Sequence, residues 1–149
     1  MLYDKNNEVG QICSIAGWGR SGSFSVGHQS SKIKIRLAGS NIIDETDRDM
    51  LVVSPSRSSK DRTSLECIVS PGDSGGGMFV GGKLAGIHSV ITTNVSRGDG
   101  KSMLNGGYHC YSGSTRISMY KDWIVKTANE LTNFYKLTSE IDKVLTHNK

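Results

Sequence analysis

Short runs of alternating or continuous apolar residues, separated by Gly-, Ser- and Asn-rich breaks, dominate most of this chain, and one long helical pattern follows them. Residues 31–37 (Ser-Lys-Ile-Lys-Ile-Arg-Leu) alternate strictly, the period of a half-buried strand. Their basic side chains face water, where they also discourage edge-to-edge pairing. Apolar residues return over 11–15, residues 50–53 read as a further short strand, and Asn41-Ile42-Ile43-Asp44 as a turn and short strand. Residues 78–87 have the form strand, Gly81-Gly82, strand, and two glycines suit the tight primed turn of a hairpin. Residues 89–93 extend the second strand of that hairpin.

Loops are predicted over residues 17–27 around Trp18, over the acidic residues 45–49, over 55–62 and over the Gly-rich 96–107. From Tyr120 the period changes. Ile124, Ala128, Leu131, Phe134 and Tyr135 recur at helical spacing, and Ile141, Val144 and Leu145 resume it after a break expected at Thr138-Ser139, where Ser139 and Asp142 cap a second short helix. Residues 1–12 begin polar and read as a connector or frayed end; residues 125–149 read as a helical extension.

A length of 149 residues bounds one domain with a real core. The excess of 18 Lys and Arg over 14 Asp and Glu is small and spread along the chain, so it serves solubility. No basic stripe interleaved with aromatics argues for a nucleic-acid partner. No apolar run reaches membrane-span length, and the first residues do not form a signal peptide. Cys13, Cys67 and Cys110 lack the paired spacing of a zinc site, so no metal is expected. Asn94-Val95-Ser96 is a glycosylation sequon and Arg97-Gly98-Asp99 an integrin-type tripeptide, both read as incidental features of a surface loop.

The chemistry concentrates in Pro71-Gly72-Asp73-Ser74-Gly75-Gly76-Gly77. Glycines on both sides of a serine permit backbone angles that a Cβ forbids, so a tight loop can aim successive N–H groups at one point beside the hydroxyl. That is the geometry of an oxyanion hole, in which each donor is worth about 10²–10³ in rate. Ser74 is therefore the candidate nucleophile, with the amides of Gly72 and Ser74 as donors.

Gly72-Asp73-Ser74-Gly75-Gly76 resembles the nucleophile signature of the chymotrypsin/trypsin-like serine peptidases. Other stretches agree in order. Ala16-Gly17-Trp18-Gly19 resembles the family's Gly-Trp-Gly, Leu84-Ala85-Gly86-Ile87-His88-Ser89 the strand after the nucleophile, and residues 115–124 the strand leading into the closing helix. The resemblance runs from Cys13 to Ile124. It implies an all-β fold, one antiparallel Greek-key barrel of the chymotrypsin type with a C-terminal helix, residues 13–124 being the family's second barrel. It also implies a serine endopeptidase acting on polypeptides by acyl transfer through Ser74, without a cofactor, and usually secreted.

Two-barrel members need roughly 200–250 residues. Their catalytic His and Asp belong to the first barrel, and nothing upstream of Gly17 matches those motifs. His28, His88, His109 and His147 lie in no base motif. The expectation is a chain that carries nucleophile, oxyanion hole and S1 pocket while His and Asp come from a missing N-terminal half. The alternative is a non-catalytic, protease-like binding module.

Within the resemblance, Ile68 stands six residues before the nucleophile, where trypsin-like members have Asp, which disfavours cleavage after Arg or Lys. Gly86-Ile87-His88 is similar to the Gly-Ile-His of glutamyl endopeptidases, implying that His88 contacts an acidic P1 side chain. Ser89 matches the serine that bonds the catalytic Asp, and Ser89-Val90-Ile91 the strand that pairs with substrate backbone. Asp73 matches the Asp that receives the new amino terminus after zymogen cleavage. Cys13 matches a family cysteine whose partner position holds Val80, and Ser70 replaces the cysteine before the nucleophile loop. A Cys67–Cys110 bridge near the pocket is expected, the odd cysteine being free or paired with the missing half.

Overall fold

The computed structural model describes residues 1–29, 35–56, 58, 60, 62–93 and 106–147. Strand β1 (Ile12–Gly17) buries Cys13 and Ile15 and turns the side chains between them outward. Strands β2 (Ser21–Ser23) and β3 (Gly27–Gln29) form a separate two-stranded ribbon within the Gly/Ser-rich loop. Strand β4 (Leu37–Ile42) pairs antiparallel with β1, followed by β5 (Glu45–Asp47), β6 (Met50–Val53), β7 (Gly77–Val80), β8 (Lys83–Thr93) and β9 (Cys110–Arg116). All pairings are antiparallel, in the order β4-β1-β7-β8-β9-β6-β5.

That order reads as an open sheet, yet its two ends, β4 and β5, are joined by Ile43 and Asp44 alone. So short a link brings the outer strands together, and the sheet curls into a barrel. Side-chain and main-chain bonds secure the seam. Asn41 Nδ2 donates to the carbonyls of Ser54 (3.1 Å) and Cys67 (2.9 Å), and the Asp44 N–H to that of Val52 (2.9 Å). Ile43, Leu51, Val53, Met78, Val80, Ala85 and Cys110 fill the interior with Cys13 and Ile15.

The β7–β8 hairpin turns at Gly81 and Gly82, both with positive φ (54° and 76°), as the primed turn requires. The expected strand over 31–37 falls partly outside the described residues, and the pairing with β1 is made instead from Leu37 onward. There the small residues Ala38, Gly39 and Ser40 carry the ladder. A Cβ on Gly39 would meet the Cys67 sulfur, so the strand had to forgo apolar alternation at this point. The sequon and the tripeptide at residues 94–99 also lie outside the described residues.

Residues 1–12 are held closely for a polar connector. The Tyr3 N–H donates to the Leu84 carbonyl (2.8 Å) and the Leu84 N–H to the Met1 carbonyl (3.0 Å), and Tyr3 is buried. Glu8 is 1% exposed and receives Arg116 through two hydrogen bonds (Nε to Oε1 3.0 Å, Nη2 to Oε2 2.7 Å), with the Ser118 hydroxyl on Oε1 (2.7 Å).

The expected Cys67–Cys110 bridge does not form: none of the three cysteines is in a disulfide. The Cys110 sulfur accepts the Gly106 N–H (3.1 Å), and Cys13 faces Val80 across the β1–β7 pair. Burial pushes Cys13 up to about 11 and Cys67 to about 12, so both stay protonated at neutral pH.

Helix α1 (Ile117–His147) starts before Tyr120 and runs without interruption through Thr138. The Thr138 hydroxyl donates to the Tyr135 carbonyl (3.0 Å) and that of Thr132 to Ala128 (2.8 Å), bonding back along the helix instead of breaking it. From Met119 onward the helix is a unit distinct from the β-rich unit of residues 1–118. No helix among the described residues is long and apolar enough to cross a membrane.

Candidate active site

The loop between Ile68 and β7 is built on turns. Gly72 (φ 103°) and Gly75 (φ 83°) adopt angles that L side chains rarely reach, and a Cβ on Gly72 would press on the Gly19 backbone. The Asp73 N–H donates to the Ser70 carbonyl (3.0 Å), the Gly76 N–H to that of Asp73 (3.0 Å) and the Gly75 N–H to that of His88 (2.9 Å). Three amides are thus committed to holding the loop. The N–H groups of Gly72 and Ser74 bond no described residue, and Ser74 is exposed between them with its hydroxyl likewise unbonded among the described residues.

Behind Ser74 the carboxylate of Asp73 is half-buried. Its Oδ1 accepts the Gly19 N–H (2.8 Å); its Oδ2 accepts the Ser70 N–H (3.0 Å) and the Ser70 hydroxyl (2.8 Å). Gly17 and Gly19 make room for this group, since a Cβ on either would overlap it. The spacing of Ser70 three residues before Asp73 is a turn signal, but Ser70 stood out in the sequence only as a replaced cysteine.

His88, 2% exposed, lies beside Gly76 in the barrel wall. Its Nδ1 is 3.0 Å from the Ser114 hydroxyl, and its Nε2 has no partner among the described residues. Burial holds this imidazole below its ordinary value against the opposing pull of Asp73, which favours the neutral ring at pH 7. The direction of the bond between Nδ1 and the Ser114 hydroxyl follows the tautomer of the ring. Sequence reasoning missed Ser114, because nothing in a strand serine's own neighbourhood marks it as a histidine's partner.

Ser89 sits at a register shift between His88 and Val90, which leaves both Ser89 and Val90 exposed, with Ile91 partly buried. A cavity of about 530 Å³ opens next to the loop, lined by Ile68, Ser70, Asp73, Gly19, His28 and Tyr108 among others. It gathers Ile68 with Asp73 and does not include Ser89, Val90 or Ile91. His28 on its wall is held below its ordinary value by burial and by Arg20, with Asp73 opposing.

Comparison with known proteins shows the family and the fold. The family model described as Trypsin matches residues 2–124. Among solved structures, neuropsin, a serine protease expressed in the limbic system of mouse brain, is similar with 24% identity and a TM-score of 0.61, over 86% of this chain and 52% of that one. The chain spans about half the length of that structure. No curated protein matches.

Proposed function

This chain belongs to the trypsin family of serine peptidases, and from that premise we propose that it serves as a serine endopeptidase whose nucleophile is Ser74. Ser74 Oγ attacks the scissile carbonyl, its proton passes through a base to the leaving amine, and water then releases the acyl group. The observation that carries this reading is the division of amides in the loop: those of Asp73, Gly75 and Gly76 are bonded, while those flanking the Ser74 hydroxyl remain free to receive an oxyanion. The base and its orienting carboxylate are a His and an Asp from outside residues 1–149, since no described histidine bonds Ser74.

A fluorophosphonate probe tests this on the 149-residue chain. Oγ displaces fluoride at phosphorus, its proton going to solvent. The expected result is a slow adduct, forming over hours, mapped by mass spectrometry to Ser74 and lost in Ser74→Ala, with no measurable peptide hydrolysis. No adduct at Ser74 would refute the nucleophile. Completion within minutes would refute the external base.

The substrate is a polypeptide with an uncharged or acidic P1 residue. Ile68 offers no carboxylate to an Arg or Lys side chain, and the Nε2 of His88, without a partner among the described residues, suits a donor to a carboxylate oxygen. In the enzyme with its base restored, cleavage after Glu should exceed cleavage after Ala at least tenfold; equal rates would remove His88 from specificity.

A further inference from the structure

Ser70 is buried and takes no part in the chemistry proposed above, yet it touches Asp73 three times: by its N–H, by its hydroxyl and through its carbonyl, which accepts the Asp73 N–H. With the Gly19 N–H on Oδ1, both carboxylate oxygens are held from within the chain. We propose that Ser70 is the positioning residue of the nucleophile loop, setting the Gly72 and Ser74 amides through Asp73 without a cation supplied from elsewhere. This inference rests on the reading of Ser74 as nucleophile and of those two amides as oxyanion donors.

Asp73 lies between Gly72 and Ser74, so its φ and ψ govern the planes of both flanking peptides and hence the direction of both free N–H groups. Gly72, at φ 103°, has no side chain to hold it there and relaxes once its neighbour is released. The restraint must therefore come from the Asp73 side chain, fixed by hydrogen bonds to an ionised acceptor, which are roughly twice as strong as neutral ones. Two of the three come from Ser70. Pro71 adds a further tie, its carbonyl accepting the Arg20 N–H (3.0 Å), so the segment of residues 70–73 is pinned at both edges of the seat left by Gly17 and Gly19. The resemblance assigns the charge opposite Asp73 to a new amino terminus; here neutral donors meet the carboxylate, and a serine stands where a disulfide cysteine would leave none.

The rate of fluorophosphonate addition to Ser74, in the 149-residue chain, measures the setting of the two amides. Ser70→Ala should slow it about tenfold, Ser70→Thr, which keeps the hydroxyl, should restore it to within about twofold, and acetylation of the chain's own α-amine should leave it unchanged. Ser70→Cys, close in size to serine but a weak donor, should fall between, and supplies the comparison if the alanine variant does not fold. A labelled wild type with Ser70→Cys or Ser70→Ala equally fast overturns the proposal and leaves the nucleophile standing. Loss of the rate on acetylation overturns it too. A wild type that never labels at Ser74 overturns the nucleophile reading, and this proposal with it.

Discussion

Arg116→Ala should destabilise the β-rich unit by about 3–5 kcal/mol, because it strands the Glu8 carboxylate in a site 1% exposed with its two-bonded partner gone. For a chain of this size that is a fall in Tm of roughly 10–15 °C, readable by calorimetry or urea titration. Arg116→Lys should recover only part, since an ammonium cannot reach both oxygens in the plane of the carboxylate. A loss below about 1 kcal/mol would mean that the pair behaves as an exposed one.

The pH dependence carries a definite sign. Burial alone pushes Glu8 up, but the hydrogen bonds from Arg116 and Ser118 and the Arg116 charge outweigh it and hold the carboxyl below its ordinary value of 4.5. A group depressed on folding contributes its full stability above the unfolded value and loses it as pH falls through the folded one. Stability should therefore drop on acidification below about pH 4.5, and in Arg116→Ala the Glu8 share of that drop should shrink, because only the hydrogen bonds from Ser118 and the main chain then oppose burial.

Gly17→Ala should reduce fluorophosphonate labelling of Ser74 at least a hundredfold. The new methyl would overlap Asp73 Oδ1 and crowd its Cγ, and Gly17 sits in the β1–β4 ladder opposite Leu37, where the backbone has little freedom to yield. The carboxylate must move, and the amides on either side of Asp73 move with it. Overpacking of this kind also costs about 1–3 kcal/mol of stability, so the rate should be read at a temperature where circular dichroism shows the variant folded. Labelling at the wild-type rate would show that the seat between residues 17 and 73 is loose, and would weaken the case for a preset loop.

What could be read from residues alone was local. The turn at Gly81-Gly82 was legible because two adjacent glycines announce positive φ, and the nucleophile loop because its glycines bracket one hydroxyl. Strand β4 was not legible because it pairs through Ala38, Gly39 and Ser40, with Gly39 giving the clearance that Cys67 needs, and so lacks any apolar period. The break read at Thr138 was absent because a threonine hydroxyl can bond back to its own helix. Nor could sequence join Glu8 to Arg116, distant in the chain, or His88 to Ser114, which face each other only once β8 has paired with β9. The Cys67–Cys110 bridge was proposed on proximity to a pocket; the structure instead gives the Cys110 sulfur a backbone donor.

The curling of the sheet also bears on how the chain acquires its shape. Strand β1 has β7 as a neighbour, and β6 has β9, so residues as distant in the chain as Cys13 and Val80, or Val53 and Ser112, must meet before either strand is flanked on both sides. Such non-local pairing places folding on the millisecond-to-second scale. During synthesis, β1 and β4 to β6 leave the ribosome well before β7 to β9, and they wait with unpaired edges. Closure is thus a late event, and a nascent chain stalled before Cys110 lacks β9 and leaves the edges of β6 and β8 exposed to other strands.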